Sequence, residues 1–388
     1  MKILLVLDNL KIGGIATSFY NFIREISNYN VECDILIFDN ATIDKDRIPK
    51  GINVLATNHN LRLLAKEQCE FWWISKLQYF KRVFYVILSK LFSGNISRKL
   101  LLKKVKETGE YDLAIAYCHD LGWHSFTPGC RQYVAEKVVA KKKAVYIHCD
   151  YKRFGGMDKR QYNDYNCFDY ILCVSRGCQN SFVSAFPSLE KKTKVLENFT
   201  NCDDVLKKAE NPVEYNSGKT IFVSACRLSD EKAIPRTLNV FARLVSEGLS
   251  DFEWIIAGDG PLKTEIEEKI NKLNLKSHVR LVGKQSNPYK FIKNANAFLL
   301  LSYHEAAPMV FGECHTLGVP IVSTDTISAK ELVEERNIGM VCPNDEDGVY
   351  TMLKTILQGQ AELEKYVKDN GSVNYSAKKQ LCSLLQDL

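Results

Sequence analysis

The sequence predicts an α/β protein made of two doubly wound parallel sheets in tandem. Short apolar runs alternate with helically spaced segments along most of the chain. The runs are continuously apolar, as in strands buried on both faces. The length of 388 residues, with 46% hydrophobic and 25% charged, suits two ordinary globular domains.

Residues 3–7 read as the first strand. Gly13-Gly14 makes a turn, residues 16–26 have helical spacing, and Thr17 or Ser18 can cap that helix. Residues 33–38, 53–56, 113–117, 144–147 and 170–174 read as further strands. Residues 194–206 read as a strand end and a crossing linker, and the polar residues 211–218 as a boundary. The second series places strands at 220–225, 254–257, 279–282, 297–301, 321–323 and 340–341. From Asp347 the chain is polar with helical spacing. The expected division is a first domain over 1–200, a linker over 201–215, a second domain over 216–365 and a helical tail over 366–388, able to cross back to the first domain. In such sheets ligands bind off the carboxyl ends of the strands, here in a central cleft that the two domains face.

The 13 cysteines are an odd number without a Cys-x-x-Cys pair, and Cys118, Cys173 and Cys226 sit in apolar runs. This points to reduced, buried thiols and away from a disulfide scaffold or zinc ribbon. No apolar run reaches membrane-spanning length, and residues 1–7 are too short for a signal peptide. The expected location is cytoplasmic, free or on the inner face of a membrane. The net charge of +6 is uneven: residues 61–110 hold eleven Lys or Arg against four Glu. Within 71–106, Trp72, Trp73, Tyr79, Phe80, Phe84, Tyr85 and Phe92 interleave with Lys76, Lys81, Arg82, Lys90, Arg98, Lys99, Lys103, Lys104 and Lys106. An anionic membrane surface fits this stretch, and helices packed on the first sheet with a solvated basic face fit it equally well. No nucleic-acid motif accompanies it, so nucleic acid is not expected as a partner.

Residues 303–320 carry the densest chemistry. Pro308 suits the first turn of a short helix that Gly318 and Pro320 close. Glu305 precedes that helix and Glu313 lies inside it. A strand running into a loop and a helix N-terminus makes an anion site. Two acids beside it suit a ligand that also carries hydroxyls, such as a nucleoside diphosphate sugar. Arg227 follows the strand 220–225 and Lys232 stands where a helix begins, a pair suited to a diphosphate. Gly258-Asp259-Gly260-Pro261 closes the next strand, as a close backbone approach or a plain turn. Gly13-Gly14 lacks the third glycine of a dinucleotide fingerprint. His119 and His148 end two strands of the first domain. No spacing supplies a third ligand, so no metal is expected. Asp44-Lys45-Asp46 and Asp345-Glu346-Asp347 read as caps and solvated turns.

The order His304-Glu305-Ala306-Ala307-Pro308-Met309-Val310, Glu313 and Gly318-Val319-Pro320 resembles the signature of retaining GT-B glycosyltransferases of the family 4 type. Arg227-Leu228 to Glu231-Lys232, Gly258-Asp259-Gly260-Pro261, Gly283 and Asn287-Pro288-Tyr289 follow the same family order. The resemblance is strong over 220–341 and weaker over the first domain. It implies a GT-B fold and transfer of a sugar from a nucleotide donor with retained configuration, without a metal or other cofactor. Arg227 and Lys232 would then hold the diphosphate and Glu313 the ribose. Glu305 and His119 would serve the sugar as catalytic residues, with His148 as second choice. Gly14, Gly258, Gln285 and the segment Ala307, Pro308, Met309 and Val310 would complete the donor site. The family often has glycine where Ala233 and Ala306 stand. The expected reaction moves a hexose or N-acetylhexosamine, from UDP in the first instance, to a lipid-linked or growing surface polysaccharide such as capsule or exopolysaccharide. The alternatives are a non-catalytic nucleotide- or glycan-binding partner, or another GT-B activity such as a nucleotide-sugar epimerase.

Overall fold

Continuous apolar runs become strands buried on both faces, and polar loops join them to helices. The computed structural model describes residues 1–11, 13–120, 122–154, 159–215, 218–366 and 373–388. The chain divides into one unit of Met1–Phe199 with Ala377–Leu388, and a second of Thr200–Ser376.

In the first unit, β1 (Lys2–Leu7), β2 (Glu32–Ile37), β3 (Ile52–Val54), β4 (Thr108–Ala116), β5 (Val138–Ile147), β6 (Tyr170–Cys173) and β7 (Thr193–Val195) form a parallel sheet in the order β3-β2-β1-β4-β5-β6-β7. Ile3 to Leu7 of β1 are fully buried. β4 and β5 begin earlier than their apolar cores suggest, because Glu110, Asp112 and Lys141 lie at amino ends where the strands are less covered. The first helix, Gly14–Ile26, starts at Gly13 without a side-chain cap. Ser18, expected as a possible cap, lies inside the helix. It is buried, donates to the Asn198 Oδ1 at 2.6 Å and meets the Tyr117 hydroxyl at 2.8 Å.

In the second unit, β8 (Thr220–Ala225), β9 (Phe252–Ala257), β10 (Val279–Gly283), β11 (Ala297–Leu300), β12 (Ile321–Thr324) and β13 (Gly339–Cys342) run parallel in the order β10-β9-β8-β11-β12-β13. This is the Rossmann order, and it reverses between β8 and β11, the kind of point beyond whose carboxyl ends such sheets bind ligands. Phe222, Trp254 and Leu299 pack into one apolar layer, while Ile221, Val223, Ile255 and Phe298 pack into another. Strict alternation within apolar runs thus covers both faces of the sheet.

Residues 201–215, expected as a linker, contain the helix Cys202–Lys208, capped by the Asn201 side chain. Val205 and Ala209 join the second unit's apolar core, so burial holds this stretch in that unit. The last helix, Tyr375–Gln386, enters the first unit from Ala377 on, with Leu381 and Leu384 buried. Parts of two expected features, residues 216–217 of the boundary and 367–372 of the tail, lie outside the described residues. All 13 cysteines carry free thiols. Among the described residues no helix is long and apolar enough to cross a membrane.

Gly339 shows how closely β12 and β13 approach: a Cβ there would lie 1.9 Å from the Ile321 carbonyl oxygen, which is backbone and cannot swing away. Gly339→Ala should lower unfolding stability by about 3 kcal/mol, the upper end of ordinary overpacking costs, read in a denaturant titration. A change under about 1 kcal/mol would contradict this packing.

Candidate active site at the carboxyl edge of the second sheet

Hydrogen bonds stitch the strand exits of the second unit together. Gly258 N donates to Gly283 O at 2.9 Å, and Leu228 N to Asp259 O at 3.0 Å. Tyr303 N donates to Glu231 O at 2.8 Å, and Thr324 Oγ1 to Ser302 O at 2.5 Å. The loops after β10, β9, β8, β11 and β12 therefore form one belt. Gly258, expected as a donor contact, and its neighbour Gly260 both serve this belt: a Cβ on Gly258 would lie 2.0 Å from Cys226 O, and one on Gly260 would lie 2.4 Å from Leu228 O.

On the belt, Lys232 and Glu305 form an ion pair at 2.6 Å, both mostly buried. The Ser302 hydroxyl donates to the same Glu305 oxygen at 2.7 Å. Burial works against the charge on Lys232, but the adjacent Glu305 carboxylate outweighs it and raises the ammonium above the ordinary lysine range. Ala233 follows in the left-handed region, with φ 51°, and starts the helix Ile234–Ser246. A Cβ is strained there by about 1 kcal/mol, which explains why glycine suits this position. Arg236 sits 4.3 Å over the Tyr303 ring and donates to Leu301 O at 2.6 Å and Asn344 Oδ1 at 3.0 Å. Asn344 Nδ2 donates to Tyr303 O at 2.9 Å. These contacts hold the loop that carries Glu305. Arg227 is exposed.

The helix Met309–Leu317 begins after Pro308, which stands just outside it with extended backbone, and Gly318 ends it with φ 73°. Met309 and Val310 thus occupy its first turn, preceded by Ala307. Its N-terminal dipole is directed at the loop after β11. Glu313 accepts a hydrogen bond from the Tyr289 hydroxyl at 3.1 Å. Burial pushes the Glu313 carboxyl up to about 7, and the Tyr289 bond pulls weakly the other way. Gln285 turns back onto its own strand, donating to Val282 O at 2.5 Å.

His119, His148 and Gly14 belong to the first unit. His119 Nε2 lies 2.9 Å from Cys149 Sγ, and burial pushes the imidazole down to about 4. His148 stacks on Tyr146 at 4.5 Å, burial pushes it to about 3, and its Nε2 is buried without a hydrogen bond. Both rings are neutral near pH 7. A Cβ on Gly14 would meet nothing within 4 Å, so packing does not demand this glycine. Asp8, Cys118 and Cys130 place three candidate metal ligands within 4.8 Å of one another. Burial raises Asp8 to about 6 and raises both thiols. Asp44 and Asp345 each accept a backbone N–H at the start of a helix, as capping residues do.

Sequence reasoning missed the residues that position the site. Ser302, Arg236 and Asn344 carry no motif, and only a strand-end hydroxyl three residues before Glu305 signals the first. Arg98, counted with the basic surface, is buried instead, with Asp120 at 3.1 Å; Asp120 also pairs with buried Arg131 at 2.7 Å. A fully buried carboxylate needs such partners.

The folded carboxyl of Glu313, near 7, lies above its ordinary value of 4.5, so the native state binds the extra proton between those values. Native stability therefore falls as pH rises from about 5 to 8. Glu313→Gln should gain melting temperature relative to the parent across that window, with the difference widening as pH rises. A pH-independent difference would contradict the buried, proton-holding carboxyl.

Residues 207–372 match the family model of glycosyl transferases group 1. An uncharacterized glycosyltransferase of Methanocaldococcus jannaschii is 34% identical over 166 residues, 42% of this chain and 41% of its own. The N-acetylgalactosamine-N,N'-diacetylbacillosaminyl-diphospho-undecaprenol 4-alpha-N-acetylgalactosaminyltransferase of Campylobacter jejuni is 29% identical over 211 residues, 54% of this chain and 56% of its own. The chain thus spans about half the length of the curated relatives it matches. Anabaena HepE, solved with UDP and glucose, superposes with a TM-score of 0.67 at 16% identity, covering 100% of both chains. The lipopolysaccharide outer core galactosyltransferase WaaB superposes at 0.64 and 18% identity, again covering 100% of both. At such identities the likeness establishes the fold, which is of the GT-B type. The likeness to glycosyl transferases group 1 thus rests on residues 207–372, less than half of the chain.

Proposed function

We propose that this chain is a retaining glycosyltransferase that moves a hexose or N-acetylhexosamine from a nucleotide sugar, UDP in the first instance, to a lipid-linked or growing polysaccharide. One observation carries the reading. The Lys232–Glu305 pair sits at the β8/β11 reversal, on the same hydrogen-bonded belt as the loop that leads into the Met309 helix. The Campylobacter relative's name describes transfer onto a polyprenyl-diphosphate glycan, and HepE was solved with UDP and glucose, which supports both halves of the reading.

In this reading the Lys232 ammonium, shared with Glu305, and exposed Arg227 meet the diphosphate, and the N-terminus of the Met309 helix adds its dipole. No metal ion is needed for that charge. Glu313 accepts hydrogen bonds from the ribose hydroxyls, and such bonds favour its ionised form. Glu305 keeps one oxygen on Lys232 and Ser302 and has a second for a sugar hydroxyl. The bond from the anomeric carbon to the phosphate oxygen breaks, and the acceptor oxygen bonds to the same face of that carbon. The departing phosphate takes the acceptor's proton.

A thermal-shift screen against UDP-, GDP- and ADP-sugars tests the donor, since a bound ligand raises the melting point by mass action. Lys232→Ala removes a charge-assisted contact of about 1.5–3 kcal/mol, so kcat/KM for the donor should drop roughly 10- to 150-fold. A near-parental value would overturn the placement of the diphosphate.

A further inference from the structure

The helix Lys76–Leu91 of the first unit is inverted relative to an ordinary surface helix. Its inward side is largely polar. Arg82 donates to Leu63 O at 3.2 Å and to Gln68 Oε1 at 2.8 Å. Lys81 donates to Asn60 Oδ1 at 2.7 Å, and Ser89 of the same helix is buried. Tyr85 supplies the main inward apolar anchor, stacked on Phe126 at 5.9 Å. Its outward side is apolar: Leu77, Phe80, Phe84, Ile87 and Leu91 recur at steps of three and four, and each is more than half exposed, Leu77 at 79%. Neighbouring elements widen the stripe. Trp73, the most exposed at 87%, and Trp72 and Ile74 precede it, and Phe92, Ile96 and Leu100 follow. An apolar face this wide marks an interaction surface.

Charge identifies the occupant. Residues 71–106 contain nine Lys or Arg and no Asp or Glu. Arg82 and Arg98 turn inward, but Lys76, Lys90, Lys99, Lys103, Lys104 and Lys106 stay exposed around the apolar face. A helix about 24 Å long, with paired tryptophans on the short helix before it and lysines at its rim, has the make-up of a segment lying in the plane of a bilayer interface. A partner helix would use only the narrow stripe, and would leave the tryptophans, Phe92 and the lysines without a role.

We propose that this face docks the protein on an anionic lipid bilayer, with the Lys76–Leu91 helix lying in the interface, its outward stripe among the acyl chains and its lysines on the headgroups. The proposal stands apart from the sugar chemistry, because vesicle binding is read without donor or acceptor. It adds to that chemistry a two-dimensional surface on which a lipid-linked acceptor is concentrated.

The test uses the full chain with vesicles of phosphatidylcholine alone or mixed with phosphatidylglycerol, in a flotation assay. The parent should float with the anionic vesicles and bind the neutral ones at least about tenfold less, and added salt should release it. Phe80→Gln/Phe84→Gln changes only outward-facing side chains, so the fold, checked by circular dichroism, should persist while binding drops about tenfold or more. Lys90→Glu/Lys99→Glu should weaken binding to the anionic vesicles selectively. A parent that stays unbound with both vesicles would overturn the proposal, as would variants that float like the parent. A lipid-free dimer of the parent that Phe80→Gln/Phe84→Gln dissolves would also overturn it, by showing that a second copy covers this face.

Discussion

The ion pair between Lys232 and Glu305 is the constraint on which the second unit's site depends. The two residues stand on the exits of β8 and β11, the neighbours between which the strand order reverses. Two mostly buried charges at 2.6 Å stay in place only if each is held by its surroundings. Ser302 holds the carboxylate, and the Tyr303–Glu231 backbone bond joins the two loops. Ala233 accepts a left-handed conformation so that the chain can turn from Lys232 into its helix. Strain at that alanine is local and small beside the electrostatic arrangement it permits.

Much of the fold was legible because fully buried parallel strands leave an unmistakable trace, and both sheets appear where the apolar runs lie. The helix after Pro308 was legible from its punctuation, although Pro308 proved to stand just outside it. What the sequence hid follows from physics that pattern does not encode. A polar residue such as Ser18 caps or packs depending on distant partners, here Asn198 and Tyr117. The stretch 201–215 looks like a linker until Val205 and Ala209 find an apolar surface to cover. Gly258 suits ligand approach and tight packing equally, and the nearby Cys226 carbonyl, which demands a glycine there, cannot be read from the sequence.

Helical periodicity carries no direction. The stripe Leu77, Phe80, Phe84, Ile87, Leu91 has the spacing of a buried face, yet it points outward, and hydrogen bonds through Arg82 and Lys81 hold the opposite face inward. Arg98, one of the cations that made this stretch look like a basic surface, is instead the buried partner of Asp120. Electrostatic environment likewise separates residues of one type. His119 and His148 are held neutral by burial, and Glu313 titrates far above an ordinary carboxylate because it lies in an apolar helix.

The most direct measurement is a transfer assay with the purified chain, a panel of UDP-sugars and a polyprenyl-diphosphate-linked glycan, followed by mass spectrometry and by NMR of the new linkage. A retaining transferase built on the Lys232–Glu305 site should give the acceptor a single hexose or N-acetylhexosamine with the anomeric configuration of the donor. Tight nucleotide binding with no product on any acceptor, or a product of inverted configuration, would contradict it.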